Sequence, residues 1–352
     1  MTTPQATTSP FADEAPERYL TSLVGWRAFV DDQPVIPAVL SASKRASLTP
    51  DELHRYDEGR VDHHTRLLLV VATSTVQHTV TCGRRLVLLN RHAVSARRGL
   101  IVSGPAGTGK TTAITQLGRA HELLDRARHP GVSGRIPVVY ITVPPAATAR
   151  MVAVEFARFL GLPVRVRSNI TDVLETVCGV LTDTRVGLVL IDEIHRLNPR
   201  TTSGAQAADL LKDLTERIGA TFVYAGIDVT STALFTGVRG AQLAGRASLV
   251  ECGVFPARLG SSEPFRELVT AMENALDLRH HRTGSLVRLA PYLHERTTGR
   301  IGSLARLIRQ AAITSLNDGT ERITKTTLDQ IPLDHLTEQH HRRAPRRPAP
   351  AP

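Results

Sequence analysis

The chain has 352 residues, 41% of them hydrophobic, with a formal charge of +10 and a sequence pI of about 10.2. It has enough apolar material for one large core or two modest ones, and no apolar run approaches the roughly 20 residues of a membrane-spanning helix. The start lacks a basic, apolar leader, and Cys82, Cys178 and Cys252 are odd in number, far apart and in no CxxC spacing; the expectation is a cytoplasmic protein with no membrane partner, disulfide framework or zinc knuckle.

Residues 1–16 (MTTPQATTSPFADEAP) read as a disordered leader with little to bury. An N-terminal helical region is expected over 17–95. TPDELHRY from Thr49 carries a capping Thr, a first-turn Pro and early acids, and the run from Thr65 to Leu89 is apolar enough for one or two packed helices. From 96 to 256 the pattern changes. The runs GLIVSG (99–104), IPVVYITV (136–143), VGLVLID (186–192), ATFVYAG (220–226) and SLVECGVF (248–255) are separated by helix-length stretches. Continuous apolar runs mean strands covered on both faces, and their spacing means crossover helices, so a doubly wound parallel α/β sheet is expected. Over 257–335 the strands stop. SSEPFRELVTAMENALDL, GSLVRLAPYLHERTTG, IGSLARLIRQAAITSLNDG and ITKTTLDQI carry Ser or Thr caps at their starts or Gly at their ends, the signals of a small all-helical domain. The Pro/Arg/His-rich stretch 336–352 reads as an unstructured basic tail.

GPAGTGKTT follows the strand GLIVS and precedes the helix pattern TAITQLGRAHELL, the setting a phosphate-binding loop needs. Its residues Gly104, Pro105, Ala106, Gly107, Thr108, Gly109, Lys110, Thr111 and Thr112 form the candidate cradle for the phosphates of ATP. The glycines let backbone N–H groups converge, and the helix N-terminus adds partial positive charge. Lys110 is expected to reach the β- and γ-phosphates, and Thr111 to offer its hydroxyl to Mg2+. Asp192 and Glu193 end the buried strand VGLVLID, where paired acids are costly unless a cation meets them. Asp192 is the expected second Mg2+ contact, and Glu193 the base that orients and deprotonates water.

Four further positions are candidates with competing readings. Asp228 either senses the γ-phosphate or caps a helix over TSTALF. Arg246 in QLAGR reads as an arginine finger for an adjacent subunit, in competition with Arg239 or with a solvated role. His195 reads as a polar contact to the next loop rather than a catalytic group. The stretch from His63 to His121 holds no Asp or Glu but contains Arg66, Arg84, Arg85, Arg91, Arg97, Arg98, Lys110 and Arg119, which suits backbone contacts to double-stranded DNA. An arginine bias of compositional origin is the alternative, since only Lys44, Lys110, Lys212 and Lys325 are lysines. The 4% aromatic content speaks against a base-stacking platform for single strands.

Together these residues resemble a AAA+ ATPase: GPAGTGKTT as Walker A, VLIDEIH as Walker B, QLAGR as the finger region and a helical lid after the sheet. The stretch from Thr49 to Leu333 resembles the transposition helper ATPases of the TniB, TnsC and IstB type, through IDEIHRLNPRTTSGAQAADLLKDLTERIGATFVYAGID, QLAGRASLVECGVFP and TTGRIGSLARLIRQAAITSLNDG. The resemblance implies a three-layer αβα P-loop NTPase with a C-terminal lid. It also implies ATP-dependent homo-oligomeric assembly on DNA and communication with a transposase or integrase. Two positions depart from the pattern. Gly302 stands where many lids carry a sensor arginine, with Arg300 or Arg306 as substitutes, and Asp228 replaces the commoner Asn or Thr; both imply slow or partner-stimulated hydrolysis. A STAND-type signalling or scaffold ATPase without a DNA role is the alternative reading, although no repeat array follows the lid. A helicase reading of DEIH fails because about 155 residues remain after it, too few for a second RecA-like domain plus a lid.

Overall fold

The computed structural model describes residues 19–33, 36–65, 73–165, 167–197, 201–232, 234–335 and 337–339, with the side chains of 237–239 also outside it. The leader and most of the basic tail therefore lie outside the described residues.

Five parallel strands, β1 (Gly99–Ser103), β2 (Val138–Thr142), β3 (Leu188–Asp192), β4 (Thr221–Gly226) and β5 (Ala247–Glu251), form one sheet in the order β2-β3-β4-β1-β5. The aliphatic runs make β1 to β4 buried along almost their whole length, because helices cover both faces. The expectation of two-sided cover fails for β5. It is an edge strand with Ser248, Leu249 and Glu251 exposed, and it ends at Glu251 rather than Phe255. Phe255 instead donates its N–H to Gly299 O at 2.8 Å, which carries the chain into the helical domain.

The crossovers are α5 (Lys110–Arg128), α6 (Ala149–Phe159), α7 (Ile170–Asp183), α8 (Thr202–Arg217) and α9 (Gly237–Ala244). Where a helix is expected over TSTALF, a 3-10 turn, Val229–Ser231, stands at its start, and Ala233 lies outside the described residues. After the sheet come α10 (Pro264–Asn274), α11 (Ser285–Arg288), α12 (Ala290–Thr297), α13 (Ile301–Asn317) and α14 (Lys325–Asp329), whose apolar faces close a second core around Phe265, Leu286, Leu293, Leu304 and Leu307. The start of the expected tail is held by this domain. Thr337 is buried against Ser303 and Asp334, and Glu338 pairs with Arg296 at 2.8 Å.

The region 17–95 does not pack as one unit. Helix α1 (Leu23–Asp31) and helix α4 (Ser74–Asn90) lie against the α/β core, whereas α2 (Ala42–Ala46) and α3 (Pro50–Thr65) attach to the C-terminal helices. On α1, Trp26 is wholly buried against Gly118 and stacks on Tyr140 with ring centroids 6.1 Å apart, while its indole N–H donates to Glu122. Helix α3 docks through polar groups. Arg60 donates to Asp277 O at 2.6 Å and to Glu321 Oε2 at 2.8 Å, and Arg309 of α13 donates to the carbonyls of His64 and Thr65. Burial opposes ionisation of Glu321, but the Arg60 guanidinium and the Arg279 N–H hold its carboxyl below the usual range.

His64 is wholly buried in this joint, its Nδ1 2.7 Å from Arg60 O and its Nε2 accepting from the Asp277 N–H at 3.4 Å. Burial pushes its pKa down to about 4, so the fold favours neutral imidazole. That contribution is complete above the unfolded value of about 6.5 and is lost as pH falls from there towards about 4. It amounts to on the order of 2–3 kcal/mol. Urea unfolding at pH 7.5 and pH 5 is expected to show a larger loss of stability on acidification for the native chain than for His64→Gln; equal losses would contradict the assignment.

Candidate nucleotide site

The loop between β1 and α5 is shaped by Gly107 (φ 76°) and Gly109 (φ 90°), both in the left-handed region that a side chain disfavours. Gly109 caps α5 without any side-chain hydrogen bond, which leaves the first-turn N–H groups of a 19-residue helix available to an anion. Pro105, Ala106 and Gly107 form the exposed crest. The loop is laced to itself beneath: Thr108 Oγ1 and Lys110 Nζ both donate to Pro105 O, at 2.9 and 2.6 Å. Thr112 follows on α5, half-buried. Burial lowers the pKa of the Lys110 ammonium from its ordinary value, against the pull of Asp192 and Glu193. A site that strips water from this cation strengthens its attraction for a polyanion.

Asp192, 3% exposed, sits at the C-terminal tip of β3. Three donors converge on it. Thr111 Oγ1 and Tyr140 Oη reach Oδ2 at 2.7 and 3.0 Å, and the Glu193 N–H reaches Oδ1 at 2.8 Å. The two sequence motifs are thus joined by a direct hydrogen bond. Glu193 takes a left-handed conformation (φ 59°), and its carboxylate pairs with Arg196, 3.1 Å away, with His195 3.6 Å away. Strain of this kind in a non-glycine residue persists when its surroundings fix it.

The other candidates are scattered. Asp228, also left-handed (φ 45°), makes no capping hydrogen bond with its side chain and lines a cavity of about 400 Å³ with Gly104, Pro105 and Cys252. His195 Nδ1 accepts from the Ile227 N–H at 3.2 Å, tying the loop after β3 to the loop after β4. Arg246 precedes β5 at the opposite end of the sheet from the phosphate loop, paired with Glu216 at 3.0 Å. Arg239 has its side chain outside the described residues. Arg300 and Gly302 lie at the start of α13, directly over the loop. The Gly302 N–H donates to Gly107 O at 2.9 Å, and the buried Arg300 Nε has no hydrogen-bond partner among the described residues. Arg306 faces outward. Within the acid-free stretch, Arg84, Arg85, Arg91 and Arg98 are exposed, while Arg119 donates to the α1 carbonyls of Val30 and Asp32 and Arg66 lies outside the described residues.

Two contributors escaped the sequence reading. Tyr140 shares a sheet face with Asp192, since Tyr140 pairs with Leu190 two residues earlier on β3; a lone phenol inside the aliphatic run VVYIT was the available signal. Burial and the neighbouring Asp192 carboxylate raise its pKa, so it stays a proton donor to that carboxylate. Arg196, the partner of Glu193, belongs to no motif that the sequence displays.

A glycine-turned loop at a helix N-terminus after β1, an acid at the tip of β3 one strand further along the sheet, and a helical lid that touches the loop define a AAA+ P-loop ATPase fold. The chain belongs to the TniB family: the family model for the bacterial TniB protein matches residues 75–251. Its fold is similar to the Aeropyrum pernix ORC1 protein solved in complex with DNA, at 18% identity over 75% of this chain and 67% of that one, TM-score 0.56. The Aeropyrum pernix ORC2 protein in its ADP form is similar at 16% identity over 75% of this chain and 71% of that one, TM-score 0.56. No curated protein matches the chain.

A Cβ added at Gly302 meets Gly107 O at 3.0 Å and Gly107 Cα at 3.3 Å, whereas at Gly179 on α7 it meets nothing within 4 Å. Gly302→Ala is therefore expected to cost about 1–3 kcal/mol of stability, and Gly179→Ala to gain about 0.5–1 kcal/mol. Denaturant melts of the two variants check this; the same sign for both would show that the lid does not rest on the loop.

Proposed function

We propose that this TniB-family protein hydrolyses ATP to ADP and phosphate, assembles on double-stranded DNA when ATP is bound, and in that state regulates a transposase or integrase. The observation that carries the proposal is the hydrogen bond from Thr111 to Asp192 at 2.7 Å beside a buried Lys110. It sets a hydroxyl and a carboxylate oxygen side by side at the mouth of a phosphate loop. Both are hard oxygen donors of the kind Mg2+ takes, and Mg2+ commonly uses one or two protein groups and fills its shell with phosphate and water. When bound, Mg2+ neutralises phosphate charge and orients the terminal phosphate.

The chain's own residues divide the remaining work. The loop N–H groups from Gly104 to Thr112 and the Lys110 ammonium bind and align the phosphates. Glu193, positioned by Arg196, accepts the proton of the attacking water. Arg300 supplies the lid's positive charge to the loop, two residues before the position where a sensor arginine is usual. Arg246 lies at the opposite end of the sheet, about 13 Å of strand from its own loop, so it serves a neighbouring subunit. Asp228 at the β4 tip repels a phosphate rather than donating to it, which favours slow turnover. DNA association is supported by the exposed arginines of α4 and by the likeness to a protein solved with DNA.

Glu193→Gln is expected to lower ATP turnover by at least 100-fold while ATP binding persists, and to hold the protein on duplex DNA. Mixing inactive Glu193→Gln with inactive Arg246→Ala is expected to restore part of the ATPase rate, because some junctions then pair an intact Glu193 with an intact Arg246. Failure of the mixture to recover activity would remove Arg246 from the role. ATPase activity indifferent both to DNA and to oligomeric state would remove the regulatory reading.

A further inference from the structure

The helical lid carries a second basic feature that the nucleotide chemistry does not use. A cavity of about 710 Å³ opens between the loop after α10 and the loop before α14, lined by Arg279, His280, His281, Arg282 and Arg322 with Ser285, Ile323 and Thr324. That is more than twenty times the roughly 30 Å³ of a water molecule. The 17-residue α13 begins on the phosphate loop and ends near this cavity, which separates the two sites by about 25 Å of helix.

Nearby acids are turned away from the opening. Glu321 is buried, with Arg45, Arg60 and Arg279 around its carboxylate. Glu273 is buried and accepts from the Leu286 N–H at 2.8 Å, with His281 Nε2 2.9 Å away. His281 is fixed on its other side by the Ile323 N–H at 3.3 Å and serves as scaffold. Arg282 and Arg322 are exposed and have no acidic partner among the described residues. Arg279 leans on Glu321 at 3.5 Å, yet its buried Nε has no hydrogen-bond partner among the described residues. The cavity lining therefore holds two exposed arginines without an acidic partner among the described residues, a third, Arg279, with a buried unpartnered Nε, and a single aliphatic side chain, Ile323. A protein partner is anchored by apolar or aromatic groups in a pocket, which this lining lacks. Arginine and histidine beside hydroxyl groups is instead the composition that holds phosphodiester oxygens.

We infer that this lid cavity is a backbone-phosphate site for duplex DNA, separate from the acid-free stretch that α4 displays. The inference rests on the DNA association proposed above. Arg282 and Arg322 each contact a phosphate, and Arg279 shares the lining.

The test measures duplex binding by the full chain with ATP across a salt series, for the native protein, R282E/R322E, R282Q/R322Q and the α4 variant R84E/R85E, with ATP affinity and melting temperature as controls for folding. R282E/R322E is expected to weaken DNA binding by tenfold or more and to flatten the slope of log K against log salt by about 2. R282Q/R322Q is expected to give a smaller change in the same direction. If R282E/R322E and R282Q/R322Q keep native affinity and slope while R84E/R85E loses both, DNA binding stands and the lid site is overturned. If the lid variants lose binding to poly-glutamate but not to duplex, the cavity is an acidic-peptide site and the inference is equally overturned. Native protein that ignores duplex at every salt concentration defeats both this inference and the DNA reading on which it rests.

Discussion

A single carboxylate organises the centre of this molecule. Asp192 is buried at the end of a strand that has no other polar side chain, and such a charge is tolerable only with donors around it. Thr111 comes from the first turn of α5, Tyr140 from the adjacent strand and the Glu193 N–H from the residue that follows. Each donor requires its element to lie where it does. The parallel pairing of β2 with β3, the placement of the loop before α5 and the left-handed turn at Glu193 can all be read as conditions for solvating one buried charge.

The lid extends this logic across the molecule. Its α13 begins as a neighbour of the phosphate loop, through the Gly302 N–H on Gly107 O, and runs towards the joint where Arg60 of α3 meets Glu321. A residue chosen for smallness replaces the charge expected at that point, and Arg300, one step before the helix, brings a guanidinium to the same place. The N-terminal helices are shared between the two cores, so the chain passes from the α/β body to the lid and back before the sheet begins. The lid is therefore joined to α3 as well as to the nucleotide loop.

The architecture was largely legible because its signals are local. Five aliphatic runs and the Gly and Ser/Thr punctuation of the lid name their elements without knowledge of contacts. Strand order and the exposed edge at β5 depend on which neighbour each strand finds, and SLVEC resembles a buried run because its composition does not reveal that one side lacks a partner. The division of residues 17–95 was hidden for a different reason. Helix α3 docks through Arg60, His63 and His64, so no hydrophobic periodicity marks the face it buries. At the site, the glycine loop and the acid pair stand out by spacing, whereas Tyr140 and Arg196 matter only through a register and a turn that no short motif encodes. Asp228 and Arg300 are ambiguous in sequence; the fold sets one beside the loop at the β4 tip and the other at the start of the lid helix over the loop.

Trp26 is the chain's sole tryptophan, sealed from water and lying flat on the ring whose hydroxyl holds Asp192. Its emission is thus wired to the one carboxylate on which the site is built. Any rearrangement that moves Tyr140 changes the indole's surroundings, and no second tryptophan competes with its emission. The protein carries an internal optical reporter beside its candidate nucleotide site, installed by the same stacking that fastens α1 to the sheet.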